Sequence, residues 1–183
     1  MQNSPDRDNK LPLRVGAARW TTPGIIRFTR YQSGETAIEI LNHDGEQQLV
    51  ATVALVPYGA PHPGEYGLWL KGWSENEGVP EALVQAGIVT LTGRKHRSSY
   101  VEALHAELTE IGRAALAIDL EAERAREAAM VYREIDSLVE LDVLNAERAQ
   151  RLKERLTPSV IERHIGDGMA IREIVDMHNE LLK

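Results

Sequence analysis

The rhythm of apolar and polar positions changes partway along this chain. Between residues 25 and 91, short apolar runs are punctuated by glycine and proline, whereas from Val101 onward apolar residues recur every third or fourth position. The runs predict strands over 25–31, 36–41, 49–56, 66–70 and 88–91, with turns at Gln32-Ser33-Gly34 and Asn42-His43-Asp44-Gly45. The run 49–56 is uncharged, as a strand inside a sheet should be. Pro57, Pro61 and Pro63 then force the chain out of any ladder, because proline has no amide donor. Ser74 and Glu77 have capping-box spacing ahead of a short helix that Gly87 ends. Pro80 places the start of its regular turns near Val79.

The second pattern is longer. Val101, Leu104, Leu108, Ile111, Ala115, Ile118, Ala122, Ala125, Ala129 and Tyr132 keep a three-four spacing without a break, which predicts one helix over 101–132, about 48 Å long. Asn145 then caps a helix to Leu156, Thr157-Pro158 opens another, Gly166-Asp167-Gly168 ends it, and a last helix covers 171–182. The fold class predicted is α+β, a small mainly antiparallel sheet with one short helix followed by a C-terminal helical extension with a long helix. Three segments result: an N-terminal arm (1–24), a small α+β domain (25–97) and a helical domain (98–183). Because the later helices are short beside the long seam, Leu108, Ile111, Ala115, Ile118, Ala122, Ala125 and Ala129 are expected to face a second copy in a homodimer.

Composition narrows the chemistry. With 183 residues, 43% of them hydrophobic, the chain can bury a core unaided, and with no cysteine it holds no disulfide, thiolate metal site or thiol nucleophile. Met1 to Lys10 lacks the apolar core of a secretory leader and no run approaches a membrane span, so a cytoplasmic protein is expected. Residues 1–97 carry ten basic and ten acidic side chains, so the formal charge of -7 sits entirely in the C-terminal part. There Glu102, Glu107, Glu110, Asp119, Glu121, Glu123, Glu127, Glu134, Asp136, Glu140 and Asp142 could imitate nucleic-acid phosphates. Arg124, Arg126 and Arg133 interrupt that face and favour an ordinary solvated helix.

Three groups of residues compete as sites. Glu75, Asn76 and Glu77 place two carboxylates beside an amide, a set able to do acid-base work or hold a hard cation, although capping of a helix start explains them better. Trp69 and Trp73 flank Lys71. Trp69 lies between Leu68 and Leu70 and should be core, which leaves Trp73 as the exposed recognition residue. Arg94, Lys95, His96 and Arg97 form a basic run that Arg14, Arg19, Arg27 and Arg30 could join to touch phosphates, or a solvated junction between domains. The six histidines show no ligand spacing, and no nucleophile elbow, phosphate loop or dinucleotide fingerprint occurs, so no metal or cofactor is expected.

Tyr31-Gln32-Ser33-Gly34, Ala37-Ile38, Asp44-Gly45-Glu46 and above all Leu70-Lys71-Gly72-Trp73-Ser74-Glu75-Asn76-Glu77-Gly78 carry a resemblance. Leu83, Ala86-Gly87-Ile88-Val89 and Thr92-Gly93-Arg94 extend it. The block 31–108 resembles the domain-of-unknown-function family 4313, met in proteins of phages, plasmids and integrative elements. Ala54 and Pro80 depart from that family's pattern. The resemblance implies a mobile-element context and raises an interaction role. The function expected is therefore a non-enzymatic protein-interaction factor, including stoichiometric inhibition of a bacterial defence system such as CRISPR or restriction. Its expected partner is a host or defence protein held through Trp73, Glu75, Asn76 and Glu77. The alternative is a nucleic-acid-associated accessory protein using Arg94, Lys95 and Arg97.

Overall fold

A computed structural model describes residues 24–98 and 100–182; the rest of the expected N-terminal arm, with Arg14 and Arg19, lies outside them. In chain order the elements are β1 (Ile25–Arg30), β2 (Thr36–Leu41), β3 (Gln47–Val50), β4 (Gly67–Leu70), α1 (Val79–Gln85), β5 (Val89–Ser98) and β6 (Val101–Leu108). They are followed by α2 (Glu110–Glu140), α3 (Ala146–Arg155), α4 (Pro158–Gly166) and α5 (Ile171–Glu180). The arrangement is α+β with small antiparallel sheets and one long helix. The chain divides into two compact units, Met1–Asp119 and Leu120–Lys183. Residue 97, the expected boundary, lies inside β5, and the division falls within α2 because β6 and the start of α2 still belong to the first unit.

The first unit holds two three-stranded antiparallel sheets, ordered β1-β2-β3 and β4-β6-β5. Residues 51–53 belong to both. The Ala51 amide donates to the Ile38 carbonyl, while the Val53 amide donates to Trp69 and the Lys71 amide to Ala51. Thr52 between them pairs with Leu70 and offers its hydroxyl oxygen to the Ile38 amide at 3.1 Å. The strand expected over 49–56 is therefore cut short. After Val53 the backbone turns into a 3₁₀ turn at Val56–Tyr58. The buried Glu35 carboxylate accepts the Leu55 amide at 3.1 Å and the Ser33 hydroxyl at 2.7 Å. A ladder partner for 55–56 is replaced by one side chain.

The helix expected from residue 101 begins nine residues later. Residues 101–108 are β6, the middle strand of its sheet, with both faces covered: Ala103 and His105 are buried on one, Ala106 and Leu108 on the other. A strand buried on both sides loses the polar alternation that marks it, so its apolar residues mimicked a helical spacing. Leu108, expected on the oligomer seam, is accordingly a buried sheet residue. Thr109 makes the transition. Its hydroxyl accepts the Gly112 amide at 3.2 Å as the N-cap of α2 and donates to the Gly87 carbonyl. Gly112 is required there, since a Cβ would lie 2.3 Å from the Ile88 carbonyl oxygen. Asp119, further along α2, accepts the Phe28 amide of β1 at 2.8 Å.

The second unit is built as the spacing predicts. The Asn145 side chain accepts the Arg148 amide at 2.9 Å and caps α3, and α4 starts at Pro158 behind Thr157. Val131, Ile135 and Leu138 of α2 close with Leu152, Leu156, Ile161, Ile174 and Val175 into one apolar cluster. Tyr132 hydroxyl donates to the Leu156 carbonyl. Asp136–Lys153, Glu162–Arg124 and Glu134–Arg172 pairs tie α3, α4 and α5 to α2 at the surface.

Candidate functional site

Where residues 51–53 cross between the sheets, the surface is hollowed. A groove of about 590 Å³ is lined by Tyr31, Ser33, Thr52, Val53, Tyr58 and Lys71 among others. An adjoining hollow of about 180 Å³ shares Val53 and Tyr58 and adds Leu55, Trp73, Val101 and Ala103. Tyr58, on the 3₁₀ turn that Glu35 secures, stands 78% exposed at the shared wall. Tyr31 is fixed across the groove, its hydroxyl donating to the Thr52 carbonyl at 2.9 Å, and burial pushes its phenol pKa up. Burial lowers the pKa of the Lys71 ammonium, and the nearby Glu75 charge opposes that shift.

The segment singled out in the sequence borders this surface. Trp69 is buried, as expected, but Trp73, expected to be exposed, is half-buried because its ring packs on the cluster of Leu55, Ala60, Trp69 and Ala103. Ser74 does not cap α1. Its backbone sits in the left-handed region (φ 57°), residues Ser74–Asn76 form a 3₁₀ turn, and α1 starts at Val79 behind Gly78 (φ 83°), with no side-chain cap. A non-glycine residue at positive φ stores strain that packing must hold, here immediately after Trp73. Glu75 and Glu77 are exposed, whereas Asn76 is fully buried and so is withdrawn from the expected binding surface. The Glu75 carboxyl is held below its ordinary pKa by its own backbone amide, by the Ser74 hydroxyl and, more weakly, by Lys71. Both carboxylates face solvent rather than a low-dielectric setting of the kind that perturbs an acid-base pair.

The basic run is a strand rather than a junction, and strand alternation divides it. Arg94 lies 5.9 Å from the Trp69 ring and His96 5.7 Å from it, on the face where Trp69 also meets His105. Lys95 and Arg97 point to the opposite face in register with Leu104 and Glu102, and Lys95 pairs with Glu102 at 2.6 Å. Arg27 is bound to Glu39 and Arg30 to the Gly34 carbonyl. The expected phosphate-binding face is therefore not assembled among the described residues.

Of the seam positions, Ile111 (54%), Ile118 (49%), Ala122, Ala125 and Ala129 are exposed and Ala115 is half-buried. The side of α2 that meets each unit's own core is the neighbouring stripe, Gly112 and Leu116 in the first unit and Ala128, Val131, Ile135 and Leu138 in the second. An alanine-rich helix offers two overlapping stripes of the same spacing, and the fit of Gly112 against Ile88 selects one. Among the described residues no helix is long and apolar enough to cross a membrane, and no three His, Asp or Glu side chains gather as metal ligands.

Sequence reading missed Tyr31, Glu35, Thr52 and Tyr58. Only Tyr58 left a signal, an aromatic side chain in a proline-bounded loop where no core position is available. No protein-family model, no curated protein and no solved structure matches this chain.

Proposed function

We propose that this protein is a non-enzymatic interaction factor that acts by stoichiometric binding of another protein through the surface around Tyr58 and Trp73. The observation that carries the reading is Tyr58, an almost fully exposed ring held on a secured turn between two largely apolar depressions. Aromatic side chains beside a desolvated hollow are the usual anchors of protein interfaces. Trp73 supplies the second anchor, and Glu75 and Glu77 form a charged rim beside it. A mobile-element setting, with inhibition of a bacterial defence complex such as CRISPR or restriction as the outcome, rests on the sequence resemblance over 31–108. A second copy paired through the open stripe of α2 belongs to the same proposal. The nucleic-acid alternative has less support, because its arginines and lysine point to opposite faces of β5.

The test uses the tagged full chain as bait in a nuclease-treated bacterial lysate. A stoichiometric protein partner is expected that survives moderate salt. Tyr58→Ala, which removes an exposed ring without touching the core, should weaken its binding by about tenfold or more. Charge reversal of Arg94, Lys95 and Arg97 should leave it unchanged. Loss of all binding on nuclease treatment or on that charge reversal would transfer the function to nucleic acid.

A further inference from the structure

We infer that His164 and His178 form a pH-sensitive latch between α4 and α5 of the helical unit. Their Nε2 atoms lie 3.1 Å apart and the rings meet edge to face, 5.2 Å between centroids. Both residues sit in the last turn of their helices, and His178 is 8% exposed. A contact between two imidazole nitrogens holds only while one Nε2 carries a proton and the other offers its lone pair. With both rings protonated, two N–H groups and two positive charges face one another, and the contact turns repulsive.

The surroundings oppose the second proton. Arg148 and Arg155 come from α3, Arg148 donating to the Asn179 carbonyl at 2.7 Å, and His164 comes from α4. From α2, Glu134 is engaged with Arg172, which also binds Asp176 of α5. Glu180 follows His178 by two positions, which places it on a different face of the helix. Burial lowers the His178 pKa first, with His164 and then Arg155 adding to it. His178 Nδ1 and Asn179 Oδ1 are buried there without a partner, so the polar groups of this corner are incompletely matched in the closed state.

The sign follows. An opened α4–α5 corner binds one proton more than the closed one below the ordinary histidine value of about 6.5. Opening is therefore constant above that value and grows beneath it, by at most about tenfold per pH unit, until His178 takes its proton in the closed corner as well. The latch belongs to the helical unit and the surface around Tyr58 to the sheet unit, and the two readings share no residue, so failure of the latch leaves the proposed function untouched.

Hydrogen exchange of the full chain, followed by mass spectrometry between pH 8 and 5 and corrected for intrinsic rates, reads the latch. Peptides from α4 and α5 are expected to lose protection below pH 6.5, by up to about tenfold per unit, while those from β1 and β2 hold. His164→Ala should leave only the part of that slope that the burial of His178 and the charge of Arg155 sustain, so the fall in protection should be shallower and end at higher pH than in the wild type. A pH dependence identical in His164→Ala and the wild type, or protection independent of pH in the wild type, overturns the inference. If the variant does not fold, ring ¹⁵N spectra of the wild-type chain decide. A shared proton and a depressed titration of His178 uphold the latch, and two independent titrations near 6.5 refute it.

Discussion

In the sheet unit Glu35, Thr36, Thr52, Asn76 and His105 are all buried; in the helical unit His178 is the buried polar residue among those described. The first unit uses such groups to join segments that are remote in sequence. Glu35 receives amides from Leu55 and Val56, Thr52 receives Ile38 and Tyr31, and His105 links Thr92 to the Pro63 carbonyl at 2.9 Å. The second unit needs less of this, because its helices satisfy their own backbones and meet mainly through apolar faces and surface ion pairs, with Tyr132–Leu156, Arg148–Asn179 and His164–His178 as the added polar contacts. Irregular backbone inside a sheet has to find its hydrogen bonds somewhere, and buried side chains are where it finds them. The proposed binding surface lies beside one such place, the turn that Glu35 secures.

The comparison breaks most readily in the helical core. Leu152→Ala removes a fully buried side chain from the apolar cluster and is expected to cost about 2–5 kcal/mol. Exchange protection should then collapse in α3, α4 and α5 while β1 and β2 keep theirs. Equal loss in both would mean that the two units unfold as one. A smaller effect is expected from Glu35→Ala, which leaves the Leu55 amide without its acceptor at about 1–3 kcal/mol. Denaturant midpoints should report that loss, and partner binding at Tyr58 should fall with it as the turn loosens. An unchanged midpoint would show that water replaces the carboxylate. Ala125→Glu should leave stability within about 0.5 kcal/mol, since the residue is exposed. In light scattering the same substitution should convert a dimer into a monomer. A wild-type chain that is monomeric at every concentration would remove the dimer from the proposal.

Legibility followed the same division. Asn145, Thr157-Pro158 and the Gly166-Asp167-Gly168 break act over one helical turn, so α3, α4 and α5 were readable from the sequence nearly to the residue. The first two strands and their turns were readable for the same reason. β6 was not, because burial on both faces erased its alternation. Nor was the site. The bond from Glu35 to Leu55 spans twenty residues and carries no local pattern, and Tyr58 acquires its role only from the turn that bond secures. Ser74 looked like a cap because spacing alone does not reveal a left-handed backbone.

The edge strand β5 carries one more consequence. Among the described residues its ten residues form the edge of the β4-β6-β5 order, a ladder on which a copy of the same strand could stack. Its register breaks between Leu91 and Lys95 around Gly93 (φ 80°), and Arg94, Lys95 and Arg97 follow directly. A kink and exposed basic side chains on both faces of the edge, Arg94 on one and Arg97 on the other, make that stacking unfavourable. The basic run thus accounts for itself as a guard on solubility: neutralising it would leave the fold intact and the protein prone to fibrous association in concentrated solution.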